Sequence, residues 1–235
     1  MITYLPLATT LLAVCFAAAL LFRWWGRRTA THLLWWSIGV GCYGLGTALE
    51  SAITLGGNSI ARDKAWYIAG AILGAWPLSQ GTVYLLLSRR AARLLAWSAL
   101  PWVVTASILV VLSPVDAMRL APDRPSAALL TWPPARFLPI VINSYAALLL
   151  VGGAALSALR FARRHDGAQR AAGNALIALG ALLPAIGGAR ARQGGVEALY
   201  VTELAGLLLI GAGYVLCVRG PEPKPPEIDE RSGRA

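Results

Sequence analysis

Apolar residues dominate this chain in seven runs, separated by short polar or basic stretches. The runs cover residues 3–22, 33–55, 65–87, 94–112, 137–159, 171–188 and 199–218. Each reaches or approaches the roughly 20 residues that a helix needs to cross the hydrocarbon core of a bilayer. The pattern predicts an all-α integral membrane protein, a bundle of seven transmembrane helices over residues 1–219, and a charged, proline-rich tail at 220–235 that is expected to be disordered. The longest connection, SPVDAMRLAPDRPSAALLTWPPAR, is rich in proline and reads as a loop. Pro77 and Pro184 fall inside runs and are expected to kink their helices, freeing carbonyls that neighbours must satisfy.

Composition agrees with the pattern. Of 235 residues 57% are hydrophobic and only 14% charged, too apolar for an ordinary soluble domain. The formal charge of +10 does not point to nucleic acid, because the arginines gather at the ends of the runs. There they act as topology signals and as contacts to anionic lipid. With seven spans the two termini lie on opposite sides. One side then holds eleven basic residues before the tail, among them Arg27, Arg28, Arg89, Arg90, Arg163 and Arg164. The other holds seven in longer loops, including Arg62, Lys64, Arg190 and Arg192. The positive-inside rule puts the N-terminus outside and the C-terminus in the cytoplasm of a cell (inner) membrane.

Small and aromatic residues have structural explanations. Gly70 and Gly74 have the spacing of a small-xxx-small seam, and Gly206, Gly211 and Gly213 recur in the last run. These argue for close helix packing and allow a homodimer. Trp24, Trp25, Trp35 and Trp36 are placed for the inner interface, and Trp66 and Trp132 for the outer one. Cys15, Cys42 and Cys217 lie within spans and lack metal-ligand spacing.

Against this background the acids inside the runs stand out. Glu50 lies in the outer third of the second run, and Tyr43, Thr47, Glu50 and Thr54 share one helical face by their spacing. Glu203 lies one turn into the last run with Tyr200 on the same face, and Asn143 is two turns into the fifth. Topology alone brings these to similar depth on three helices. Gln80, beside the Pro77 kink, lies deeper. An intramembrane acid faces a partner, a cavity or water. Two arrangements remain open. In one, Glu50, Glu203, Tyr43, Thr47, Asn143, Tyr200 and Gln80 line an outward-facing polar pocket for an unknown small ligand. In the other, Glu50 and Glu203 hydrogen-bond to each other with one protonated, or pair with Arg190 or Arg192.

Catalytic chemistry finds little footing. His32 and His165 sit at the cytoplasmic boundary, no aspartate lies within a run, and Lys64 and Lys224 are both outside the spans. Metal-dependent hydrolysis, bis-histidine haem and a retinal Schiff base therefore lack their residues, and no cofactor or enzymatic activity is expected.

The segment WWSIGVGCYGLGTALES, followed by Trp66, Tyr67 and Trp76-Pro77-Leu78, resembles the seven-helix N-terminal region of some bacterial histidine kinases. That resemblance implies a membrane sensor. The chain departs from the family pattern after the last run, where the tail is too short for a kinase domain, so output would pass to a separate protein. A small-solute or lipid transporter built on inverted repeats is a second expectation, although no glutamate in the sixth run answers Glu50. A structural subunit of a membrane complex is a third.

Overall fold

The structure is a computed structural model, and it describes residues 2–191 and 195–219. The tail at 220–235 and Arg192 lie outside the described residues. The described chain is helical, with one isolated antiparallel bridge between Val115 and Leu130. Its helices are α1 (Leu5–Gly26), α2 (Thr31–Gly56), α3 (Ile60–Trp66), α4 (Trp76–Leu86), α5 (Arg89–Leu112), α6 (Pro133–Ala162), α7 (Ala168–Ala191) and α8 (Val196–Arg219).

Six of these, α1, α2, α5, α6, α7 and α8, are long and apolar enough to cross a membrane, which makes this a multi-pass membrane protein. The third apolar run differs from the single helix expected. It breaks into α3, a π-helical segment at Tyr67–Ile72, a turn, and α4. The cause is Pro77, which has no N–H to give and whose ring crowds the carbonyl four residues back. The helix restarts with Pro77 in its first turn, where that defect does not matter.

Helix ends extend beyond the apolar runs where the chain supplies caps and good helix formers. Ser88 caps α5 by accepting from Ala91 N, so the helix begins at Arg89 and carries its arginines within the first turns. The chain leaves α2 through Gly57 at φ +81°, a conformation that only glycine adopts without strain.

The helices form a ring in which each packs on the next: α1 on α2, α2 on α4, α4 on α6, α6 on α7, α7 on α8, and α8 back on α1. Helix α5 stands outside, against α6 and the π segment. Polar ties mark the two ends of the bundle. At one end Arg89 Nη2 donates to Thr29 O, joining the α1–α2 and α4–α5 connections. At the other, Asn58 N donates to Pro122 O across the α2–α3 and α5–α6 connections. The broken run from Ile60 to Leu86 thus passes from one end to the other.

The bundle is turned inside out relative to a soluble protein. Leucines such as Leu11, Leu94 and Leu148 (74% exposed) face outward, while Thr9, Thr47, Glu50, Ser79 and Gln80 are buried. Close packing comes from glycine. On α7, Gly173, Gly180 and Gly187 recur every seven residues and meet α8 at Gly213, Gly206 and Leu199. Gly46 of α2 meets Gly70 backbone to backbone, and Gly81 of α4 accommodates the Trp36 ring. Of the glycines singled out in the sequence, Gly70, Gly206 and Gly213 are at such contacts. Gly74 instead faces the carbonyl of Gly70 in its own segment, and Gly211 faces open space.

The 113–132 connection is a folded cap. Leu129 and Leu130 are buried with Tyr67, Ile72, Val110 and Ile142. Lys64 Nζ donates to Val111 O and Ser113 O, satisfying carbonyls at the end of α5. Asn58 Nδ2 donates to Ala121 O and Arg124 O.

Candidate functional site

Glu50, near the C-terminal end of α2, is 1% exposed, and Glu203, two turns into α8, is 8% exposed. Their carboxyl groups lie beside each other. Two carboxyls hydrogen-bond only with a proton on one of them, since an ionised carboxylate only accepts. Trp66 Nε1, from the last residue of α3, donates to Glu50 Oε1 at 2.7 Å. Neither Glu50 Oε2 nor Glu203 Oε2 receives an N–H or O–H from another described residue. Helices α2 and α8 share no extended backbone seam. The carboxyl pair and the contact of Thr54 Oγ1 with Tyr200 OH at 3.2 Å are polar links between them.

Two tyrosines flank the pair. Tyr43 interacts electrostatically with both glutamates, and its buried hydroxyl has no hydrogen-bond partner among the described residues. Tyr200 interacts with both, and its hydroxyl lies 3.2 Å from Thr54 Oγ1. Thr54 in turn donates to the Glu50 backbone oxygen at 2.7 Å. Of the residues expected at one depth, the structure brings Glu50, Glu203, Tyr43 and Tyr200 together.

The other candidates face elsewhere. Thr47 Oγ1 is 2.9 Å from Thr10 Oγ1 on α1. Asn143 Nδ2 donates at 2.6 Å to Ala71 O, in the π segment just ahead of Pro77, where a broken helix needs donors for its carbonyls. Gln80 Nε2 donates to Tyr145 OH at 3.1 Å, leaving Gln80 Oε1 buried without a donor. Among the described residues the ion pair is Asp116 with Arg119, so Arg190 does not neutralise the glutamates.

Several tryptophans act within the bundle as well as at its boundary. Trp66 serves Glu50. Trp35 packs edge-on against Trp76 with centroids 5.5 Å apart, and Trp36 meets Tyr214 at 6.4 Å. The proximity of Trp66 to Glu50 was not legible in sequence, because the π segment and the break after it set the direction of the third run.

One turn before Trp66, ahead of the apolar part of that run, lies Asp63, buried at 1% exposure. Its Oδ1 accepts from Ser126 N at 3.0 Å and from Asn58 Nδ2 at 3.4 Å, and its Oδ2 has no donor among the described residues. Burial pushes this carboxyl up to about 6 from 3.8, against the opposing effect of the two donors. A folded value above the unfolded one means that the folded protein takes up the proton first. This group therefore adds stability as pH falls from about 6 to about 4 and contributes a constant penalty above that window. Asp63→Asn keeps an acceptor for Ser126 and removes the charge. Its melting temperature is expected to exceed the wild-type value most above about pH 6, with the gap closing toward about pH 4. A gap independent of pH would show that Asp63 does not titrate in this way.

The described residues include no group of three or more His, Cys, Asp or Glu side chains placed to hold a metal ion. No protein-family model, curated protein or solved structure matches the chain.

Proposed function

We propose that this protein is a non-enzymatic membrane sensor subunit, which detects a small signal at its outer side through Glu50 and Glu203 and passes the response to a separate cytoplasmic partner. The single observation that carries this is the buried carboxyl pair linking α2 to α8, two helices without a backbone seam of their own. An intramembrane ionisable pair is costly to bury and is a default candidate for function. Where it also lies between two helices, a change in its state alters their relation.

In this reading the third apolar run, 65–87, is a seventh traverse of the bilayer. Its passage from one end of the bundle to the other supports that, and its length is in the range of a spanning segment. The arginine bias then sets the N-terminus outside and the C-terminus in the cytoplasm of the cell membrane. The likeness of Trp35–Ser51 and the Trp66–Leu78 region to histidine-kinase sensor regions points the same way.

The test is purification from native membranes in mild detergent, with the output of any stoichiometric partner measured for wild type, Glu50→Gln and Glu203→Gln. The expected result is a partner that stays bound to all three, with its output altered in both variants. Full output from both variants, or solute flux through proteoliposomes containing this protein alone, would overturn the sensor assignment.

A further inference from the structure

The sensor reading leaves the signal unnamed, and the geometry around the glutamates narrows it. Both carboxyls are buried side by side, and a hydrogen bond between them takes one O–H between two oxygens. No arginine, lysine or histidine among the described residues forms an ion pair with either. The donor from outside the pair is the Trp66 indole, which is neutral and serves one oxygen of Glu50. A second negative charge in this place would face a like charge in a water-poor bundle with no cation beside it.

Resting on the assignment of this pair as the responsive site, we propose that Glu50 and Glu203 together bind a single proton that exchanges with the outer side past Tyr200 and Asp123, so that the signal is external acidity. The titratable groups that face the pair are Tyr43 on α2 and Tyr200 on α8. From α3 comes the non-titrating Trp66, with Asp63 one turn away toward the outer cap. Helix α1 presents hydroxyls, with Thr10 joined to Thr47. The Tyr200 hydroxyl meets Thr54 Oγ1 at 3.2 Å, one turn beyond Glu50 along α2, and Asp123 of the cap is exposed.

Exchange is a simple proton release. One carboxyl O–H breaks, the proton passes to water at the cap, and the charge on the pair goes from one negative to two, with nothing oxidised or reduced. The two carboxylates then repel, and α2 and α8 have no backbone seam to hold them together at this level. Helix α8 runs from this level toward the opposite end of the bundle at Arg219, so a shift at Glu203 reaches the side where a partner would bind.

Infrared difference spectroscopy on the purified, lipid-reconstituted protein reads the proton directly. The expected result is a protonated-carboxyl C=O band that is present at acid pH, disappears as pH is raised, and is lost in Glu50→Gln and in Glu203→Gln. Trp66→Phe should shift the band without removing it, because the indole donor is lost and the proton is not. Should either glutamine variant fail to fold by circular dichroism, the other together with Trp66→Phe still decides the matter. A titrating band unchanged in every folded variant would overturn the proposal, as would no titrating band in the wild type. Displacement of the band by sodium ions at constant pH would also overturn it, because the ligand would then be a metal cation. The readout needs no partner. A band that behaves as expected without any partner output defeats only the sensor reading, whereas partner output without the band defeats only the proton.

Discussion

Glu50→Ala will destabilise the protein by about 3–5 kcal/mol, the range seen when one member of a buried polar pair is removed and the other is left behind. Truncation strands the Trp66 indole N–H, which now donates to Glu50 at 2.7 Å, and leaves Glu203 buried without the carboxyl it meets. It also opens a void at a position that is 1% exposed. Glu50→Gln should behave very differently. Its amide oxygen can accept from Trp66 while its NH₂ donates to Glu203, reproducing the hydrogen bonds of a protonated acid. The expected cost is about 1 kcal/mol or less, the worth of an ordinary hydrogen bond. Reversible unfolding in mixed detergent measures both. Equal losses for Ala and Gln would mean that the hydrogen bonds around Glu50 contribute little to the fold.

Gly206→Ala will cost about 1–3 kcal/mol, the usual penalty for an atom added where packing has no room. A Cβ at Gly206 falls 2.6 Å from Gly180 O and 3.0 Å from Pro184 Cδ, and a backbone carbonyl cannot rotate aside as a side-chain tip can. Helices α7 and α8 must separate along the seam that Gly173, Gly180 and Gly187 build. The control is Gly211→Ala, five residues along the same helix, where a Cβ meets nothing within 4 Å. There alanine should be neutral or stabilising by up to about 1 kcal/mol, since glycine is the poorer helix former. Thermal melting in detergent separates the two. Similar shifts at both positions would sink the idea that the glycine seam sets the α7–α8 distance.

The two substitutions concern features that differ in how far the sequence revealed them. Glu50 and Glu203 were identifiable because an acid in an apolar run violates the pattern around it, and topology gave both the same depth. Tyr200 followed from its place one turn from Glu203. Asn143 looked equivalent to these by depth, and Gln80 lay deeper. They serve the π segment and Tyr145 instead, because depth does not fix the angle at which a side chain leaves its helix. The seven-residue spacing of Gly173, Gly180 and Gly187 is present in the sequence but is not the four-residue spacing of a small-xxx-small seam. Spacing alone does not say which glycine faces a neighbour and which, like Gly211, faces outward.

The proline-rich stretch from Ser113 to Arg136 shows a different kind of limit. Its prolines mark the end of regular helix, yet Leu129 and Leu130 are buried and Asn58, Asp63 and Lys64 bind its backbone. Those three residues come from the α2–α3 connection and α3, about fifty to sixty residues earlier, and local pattern carries no record of such pairings.

By itself the sequence determined that this is a helical membrane protein with its acids in exceptional positions. Hydrophobic run length and charge placement act locally, and in a bilayer they decide where helices form. The break in the third run, the meeting of Glu50 with Glu203 and Trp66, and the choice of glycines at the seams were decided only by the tertiary structure. Each depends on the rotation of one helix about its axis relative to another. That rotation is set by many side chains packing at once, and no single stretch of the chain encodes it.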